Sequence, residues 1–213
     1  MKSTLRYGLF IIAMLVGCTG LDNLSRSNPK GWSETEAVMI METDSTRPMR
    51  VYKINNPNDS VVLRTSSKEV KVDPEDPVLK AFINRLYRTV RDSLSMGVGI
   101  AAPQVGILKR IIWVQRFDKE GFPFEVYLNP EIIQYSAKKQ TCLEGCLSIP
   151  NRRDTLNTRA YAILLEYDKM DQSHQVEMVE DFTAVIFQHE IDHLNGILYL
   201  DHLEKEIKSK PHN

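Results

Sequence analysis

The sequence is poor in cysteine, has almost no excess charge of either sign, and contains no long apolar run. Three cysteines in 213 residues are too few for a disulfide scaffold. Lys and Arg number 27 against 28 Asp and Glu, so the chain lacks the overall basic charge of many nucleic-acid-binding proteins. The apolar run over residues 7–17 is shorter than the about 20 residues that a membrane-spanning helix needs.

The composition is instead that of a folded domain. Hydrophobic residues make up 42% of the chain and charged residues 26%, close to the averages of globular proteins. A mass of 24.5 kDa is enough for one domain with a substantial core and is short for two. We predict one folded domain over residues 49–205 and a polar tail over 206–213. We expect a monomer with no nucleic-acid partner.

The first 17 residues combine a cationic start with an apolar stretch, a pattern typical of a secretory signal peptide. The stretch ends Leu15-Val16-Gly17-Cys18, which resembles the lipobox of bacterial lipoproteins. In that class the leader is removed before the cysteine, whose sulfur then carries a diacylglycerol. A buried N-terminal strand or helix is the alternative. We expect residues 1–17 to be a signal peptide, Cys18 to be lipidated, and residues 18–48 to form a polar tether.

This leader predicts a lipoprotein anchored to the membrane outside the inner membrane of a bacterium. Translation from an internal start such as Met49 would instead leave the protein in the cytoplasm. Ser33 and Glu36 have the spacing of a capping box, which predicts a short helix over residues 37–41 and a tether that is partly docked.

Periodicity in the remaining chain indicates both helices and strands. Val51–Ile54 and Val61–Leu63 flank an Asn-Pro-Asn-Asp turn and are predicted to be short strands. Apolar residues recur at helical spacing from Val78 to Leu94 and predict an amphipathic helix. Further strands are predicted at Arg110–Gln115, Glu125–Leu128, Ile132–Tyr135, Ala160–Tyr167 and Gln175–Val179.

A second helix is predicted from a cap at Asp181 to about Asn195, with Gly196 as its terminator. Its apolar residues cover most of the circumference, which indicates a helix buried inside the domain. Polar groups in such a helix are costly unless they are paired or bind a metal. The polar residues that it nevertheless carries are His189, Glu190, Asp192 and His193.

The spacing of His189 and His193 places both imidazoles on one helical face, where they can bind one metal ion with Glu190 beside it. A pair of hydrogen-bonded core histidines is the alternative. Cys146, in a glycine-containing turn, is a candidate third ligand, although a lone cysteine is often a small buried apolar residue. A disulfide with Cys142 would require a tight turn, because four residues of extended chain span about 13 Å and a bridge allows about 7 Å.

A third segment, residues 97–104, contains small residues that let backbone and substrate approach closely, and Gln104, whose amide can donate a hydrogen bond. Alone it could be an ordinary glycine turn. Together with residues 144–148 and 189–193, however, it forms a set of three motifs, GVGIAAPQ, EGCLS and HEIDH.

These motifs resemble, in the same order, the three signatures of the peptide deformylase family. EGCLS and HEIDH match the family pattern without change, and GVGIAAPQ carries Ile100 where leucine is usual. The resemblance covers roughly Met49–Leu203. It implies an α+β fold with antiparallel sheets around a buried metal-binding helix. It also implies a hydrolase that removes the formyl group from the N-terminal methionine of new polypeptides and releases formate.

The resemblance further implies the parts of the site. Cys146, His189 and His193 would hold one divalent ion, usually Fe(II) and in some members Zn or Ni. Glu190 would act as general base and then as general acid. The Gln104 side chain and the Leu147 backbone N–H would donate to the developing oxyanion. The bound partner would be an N-formylmethionyl peptide.

An apolar stripe on the second helix leads to His189 and is expected to form one wall of a methionine pocket, although such a stripe is also typical of plain core. By resemblance, Cys142 replaces a pocket residue that is commonly aliphatic, Arg159 lies near the peptide-binding edge, and the main chain of Gly99 binds the substrate backbone. The expected substrate-binding residues are Val98, Gly99, Cys142, Arg159, Phe182, Val185 and Ile186.

Two other functions fit part of this pattern. A lipid-anchored protein that binds formyl peptides without turnover would need no general base, so Glu190 and Gln104 argue against it. A zinc peptidase of the HExxH type would use the two histidines but leaves the EGCLS segment unexplained.

Overall fold

The computed structural model describes residues 31–93 and 96–209. In these ranges the α-helices are α1 Glu34–Met41, α2 Pro57–Leu63, α3 Pro77–Val90, α4 Asp181–Leu194 and α5 Tyr199–Ser209. The strands are β1 Gly99–Ala101, β2 Ile111–Gln115, β3 Phe124–Tyr135, β4 Lys139–Cys146, β5 Ile149–Ala160, β6 Ala162–Asp168 and β7 His174–Glu180. No helix among the described residues has both the length and the apolar character needed to span a membrane.

The strands form two antiparallel sheets. Five pair in the order β1-β2-β3-β6-β7, and β4 pairs with β5 in a separate hairpin. Successive side chains of a strand point to opposite faces, and along β2 Ile111 belongs to the core cluster of α3 whereas Ile112 belongs to that of α4. The larger sheet therefore lies between α3 and α4. This is the predicted α+β fold, with antiparallel sheets around a buried helix.

The predicted burial of α4 is confirmed. Apart from Asp181, Phe182 and Asp192, all residues of the helix are buried. The cap differs by one residue from the prediction, because Glu180 is the N-cap and Asp181 is the first helical residue. Gly196 follows the helix with φ +71°, and a Cβ there would lie 2.6 Å from the Arg64 carbonyl oxygen, so this terminator requires glycine.

Two predicted strands are wrong. Val61–Leu63 lies in α2, which Asn56 caps by accepting a hydrogen bond from the Asn58 N–H (3.0 Å), with Pro57 at the first helical position. Val51–Ile54 belongs to no strand. The other predicted strands overlap β2, β3, β6 and β7, whereas β1, β4 and β5 were not predicted.

Part of the predicted tether is docked on the domain. Ser33 and Glu36 form the predicted capping box at the start of α1. Trp32 and Ile40 are buried in the core cluster of α3, and Trp32 Nε1 donates to Asp76 (2.8 Å). At the other end, α5 continues to Ser209, so the predicted tail boundary at residue 206 lies inside a helix. The predicted leader and Cys18 lie outside the described residues.

Candidate metal centre and active site

Two imidazoles and a thiol meet where α4 passes the end of β4. His189 and His193 lie one turn apart on α4, and Cys146 is the last residue of β4 rather than part of a turn. One ligand atom from each of the three lies within 4.8 Å of the others, and Cys146 Sγ is 3.1 Å from His193 Nε2. The fold thus brings together the three residues predicted as metal ligands.

The chemistry of this cluster fits a divalent transition metal. One thiolate and two imidazoles are ligands that Fe(II), Ni(II) and Zn(II) accept. Burial raises the pKa of Cys146, but the imidazoles of His193 and His189 outweigh burial and hold this pKa well below its usual value. Beside the cluster, the buried Glu190 Oε2 has no hydrogen-bond partner among the described residues. Such an orphaned atom is expected where an ion and solvent complete a site.

Glu144 orients His189, one of the predicted ligands. Its Oε2 lies 2.8 Å from His189 Nδ1, which leaves Nε2 of the ring for an ion. Burial raises the pKa of Glu144, but hydrogen bonds from His189 and Arg159 outweigh it and lower this pKa to about 2. Sequence reasoning missed this role, although Glu144 stands in the same motif as Cys146.

Arg159 is not at the predicted peptide-binding edge. Its side chain is 4% exposed and forms ion pairs with Glu144 (2.7 Å) and Asp192 (2.6 Å). Asp192 also lies 2.8 Å from His202 Nε2 on α5. Arg159 does not line the cleft described below. It pairs with two carboxylates, and one of them, Glu144, holds His189.

Glu190 is buried next to the predicted ligand His189. Burial raises the pKa of Glu190 to about 7, against the opposing effect of the imidazoles of His189 and His193. The backbone of Gly99 passes so close that a Cβ there would lie 2.5 Å from Glu190 Oε1. Glycine at this position therefore makes room for the carboxylate, a role that the sequence did not reveal.

The amide of Gln104 is oriented by its neighbours. Its Oε1 accepts a hydrogen bond from the Ala101 N–H (2.8 Å), so the NH2 group faces the other way. Nε2 lies 3.6 Å from Cys146 Sγ and 3.3 Å from Ser148 Oγ. Leu147 follows Cys146 directly and contributes to the cleft. The predicted donor group of Gln104 therefore lies beside the sulfur, whereas Leu147 is placed only in the lining of the cleft.

A cleft of about 920 Å³ opens at this cluster. One side includes β1, which is an edge strand of the larger sheet, and another side is the β4–β5 hairpin. Cys142 and Cys146 are both free thiols at different points of β4, so the alternative disulfide is not found.

The lining of the cleft contains both predicted and unpredicted residues. Lys53, Arg152 and Arg153 line the cleft and were not predicted. The predicted substrate-binding residues in the lining are Val98, Gly99, Cys142, Phe182, Val185 and Ile186.

Comparison with known proteins gives the family. Residues 48–209 match the sequence model of the family described as Polypeptide deformylase. The chain belongs to this family. The peptide deformylase of Desulforudis audaxviator is 39% identical over 171 residues, covering 76% of this chain and 99% of the relative. That of Finegoldia magna is 34% identical over 153 residues, covering 72% and 90%.

Solved peptide deformylases have the same fold. The class I type b enzyme of Acinetobacter baumannii with Met-Ala-Ser bound is 30% identical, with a TM-score of 0.65 over 74% of this chain and 99% of that one. The Thermotoga maritima enzyme is 33% identical, with a TM-score of 0.63 over 73% and 97%. This deformylase is therefore a metal-dependent hydrolase that removes the N-formyl group from N-formylmethionyl peptides.

Proposed function

We propose that this deformylase works with one divalent ion held by Cys146, His189 and His193, that Fe(II) is the native ion, and that Zn or Ni can replace it. The observation that carries the proposal is the approach of the three ligand atoms to within 4.8 Å of one another, next to the buried Glu190. When bound, the ion supplies Lewis acidity that lowers the pKa of a water molecule and polarises the formyl group.

Glu190 is the proposed proton carrier. Burial raises the pKa of Glu190 above its usual value, which favours a carboxyl group that can both accept and release a proton. Glu190 accepts a proton from the attacking water as the new C–O bond forms at the formyl carbon. It then delivers a proton to the amine nitrogen as the C–N bond breaks, which leaves formate and a free amino terminus.

Gln104 and Leu147 are proposed to stabilise the negative charge that develops on the formyl oxygen. The orientation of the Gln104 amide by Ala101 supports this role, since it points the NH2 group at the sulfur. Such a donor is typically worth about 3 kcal/mol of transition-state stabilisation.

The substrate is proposed to place its methionine side chain against Val185 and Ile186, which are buried and line the cleft. Phe182 is 41% exposed and would lie at the rim, with Cys142 and Val98 as further contacts. Among the described strands β1 pairs with β2 alone, so its other edge can offer the main chain of Gly99 to an extended peptide. The Met-Ala-Ser bound to the Acinetobacter baumannii enzyme supports a ligand of this type.

The decisive assay is formate release from formyl-Met-Ala-Ser by the Fe(II), Ni(II) and Zn(II) forms, with acetyl-Met-Ala-Ser and the Glu190→Gln variant as controls. We expect formate only from the formyl peptide and only with Glu190 intact. Peptide binding to the metal-loaded protein without formate release would establish the non-catalytic alternative. Cleavage of an internal peptide bond would indicate a peptidase.

We also propose that the enzyme is exported and anchored through a lipid on Cys18. The basic and apolar pattern of residues 1–17 supports export. A chain that started at Met49 would lack Trp32 and Ile40, which are buried against the domain. Mass spectrometry of the mature amino terminus tests this: a lipidated Cys18 is expected, and an unmodified start at Met49 would overturn it.

A further inference from the structure

The segment Tyr52–Ile54 joins two of the active-site motifs. The Tyr52 N–H donates to the Gln104 carbonyl oxygen (2.7 Å), and the Ile54 N–H donates to the Ser148 carbonyl oxygen (2.9 Å). These bonds hold the segment with Gln104 and the segment after Cys146 at a fixed separation. Lys53 stands between the two bonds and lines the cleft.

The side chain of Lys53 reaches the peptide group that follows Leu147. Its Nζ donates to the Leu147 carbonyl oxygen. At the other end of the same peptide group, the Ser148 N–H donates to Cys146 Sγ (3.4 Å). An ammonium on the carbonyl polarises this peptide group and strengthens the hydrogen bond that its N–H makes to the sulfur.

Lys53 is itself held in place. Its backbone N–H donates to Asp59 Oδ2 (2.9 Å), and the buried Asp59 accepts two hydrogen bonds of 2.8 Å from Arg50. The ammonium group is therefore presented from an anchored backbone. This anchoring distinguishes Lys53 from a flexible surface lysine.

We propose that Lys53 is a positioning residue of the deformylase. It fixes the peptide group between Leu147 and Ser148, which keeps the Ser148 N–H on the Cys146 sulfur and the neighbouring Leu147 N–H at the cleft. The inference rests on the proposed function, in which Cys146 is a metal ligand and Leu147 an oxyanion donor. Groups that hydrogen-bond or orient a metal ligand typically affect metal affinity or activity about 10- to 100-fold.

The test compares Lys53→Met with Lys109→Met. Lys109 is a matched control, because its Nζ also donates to a backbone carbonyl, that of Gly31 (2.6 Å), and it does not line the cleft. We expect Lys53→Met to lower kcat about 10- to 100-fold with KM unchanged, and Lys109→Met to change neither. The thiolate-to-metal charge-transfer absorption of the Co(II)-loaded protein is expected to shift in Lys53→Met and not in Lys109→Met.

Lys53→Gln serves as a second variant and as the replacement if Lys53→Met does not fold. It removes the positive charge and is expected to give the same direction of spectral shift. A rise in KM with kcat unchanged would overturn the inference, because Lys53 would then act on the substrate. An unchanged kcat and spectrum would also overturn it. Wild-type protein that binds Co(II) but releases no formate would refute the proposed function instead, and the spectra would still test Lys53.

Discussion

Gly99 has no side chain at the point where its backbone passes the carboxylate of Glu190. A Cβ there would lie 2.5 Å from Oε1 and 2.9 Å from Cδ, closer than atoms can pack. Glu190 is buried, so its carboxylate would have to leave its place beside His189 and His193. Glycine at position 99 is therefore needed for the position of Glu190, the proposed proton carrier.

Gly99→Ala is expected to lower kcat for formate release by about 100-fold or more, the contribution that a positioned acid–base group makes. The metal content should stay at the wild-type level because no ligand is changed. Steady-state formate release and metal analysis of the same sample measure both. A variant with full kcat would contradict this role of Gly99.

Arg159 compensates two carboxylates, of which Glu144 is buried and Asp192 is half-buried. It is 4% exposed and pairs with Glu144, which is equally buried, and with Asp192. Removing one partner of a buried pair leaves the other charge without compensation.

Arg159→Met is expected to lower the free energy of unfolding by about 3–5 kcal/mol. The control is Arg152→Met, since Arg152 is 50% exposed and its pair with Asp154 is expected to contribute at most about 1 kcal/mol. Urea unfolding at equal metal load compares the two variants. If both variants lost the same free energy of unfolding, the buried ion pairs of Arg159 would contribute no more to stability than the exposed pair of Arg152.

At the scale of whole elements, α1 extends the domain beyond the part that carries the motifs. Trp32 is 1% exposed, its ring centroid lies 5.9 Å from that of Phe82, and its indole N–H is satisfied by Asp76. The short helix is therefore held by Trp32 just before it, by the buried Ile40 within it and by its capping box.

Trp32→Ala is expected to lower the free energy of unfolding by about 3–5 kcal/mol, because it leaves a cavity and an unpaired Asp76 oxygen. Val38→Ala on the same segment should change it by no more than about 0.5 kcal/mol, since Val38 is 59% exposed. Thermal or urea unfolding measures both. If Trp32→Ala were as stable as Val38→Ala, the packing of Trp32 against the domain would not contribute to the stability of the fold.

The sequence predicts best those elements in which apolar residues recur at a regular spacing. The apolar spacing of α3 and the apolar circumference of α4 identify both helices. The strand predicted at Val61–Leu63 failed because β-branched residues outweighed the helix-start signal of Asn56 and Pro57. The hairpin β4–β5 carries few buried residues, since much of it lines the cleft, and so gives little apolar pattern.

Within the candidate site, too, the residues that belong to a local motif were predicted, and the contacts between distant segments were not. His189, Glu190 and His193 follow from spacing along one helix, and Cys146 follows from the resemblance of its motif. Two other features of the site are contacts between distant parts of the chain: the close approach of Gly99 to Glu190, and the ion pair between Arg159 and Glu144. No local pattern predicts such contacts, which explains why Arg159 was misplaced.

At the scale of the whole molecule, a buried arginine directly after β2 pairs with two carboxylates beside the larger sheet. Arg116 is 2% exposed and forms ion pairs with Asp118 (2.7 Å) and Glu177 (2.8 Å). Hydrogen bonds from Arg116 lower the pKa of Asp118 below its usual value of 3.8, against the opposing effect of burial. A carboxyl group with a lowered folded-state pKa stabilises the fold above its unfolded pKa, and this stabilisation is lost as the pH falls.

The wild-type protein is therefore expected to lose stability below about pH 5, and Asp118→Asn to lose less over the same range. At neutral pH the variant should be the less stable of the two. Melting temperatures measured from pH 7 downwards test the prediction. Parallel curves for the two proteins would show that Asp118 does not contribute to the acid dependence.

The most direct test of the three-ligand site is the metal content of two cysteine variants. Cys142 and Cys146 lie on the same strand and line the same cleft, but only Cys146 is grouped with the two histidines. After loading with Zn(II) or Ni(II) and removal of free metal, wild-type protein and Cys142→Ser should each retain one ion per chain, and Cys146→Ser should lose it. Equal retention by the two variants would contradict a metal centre built on Cys146, His189 and His193.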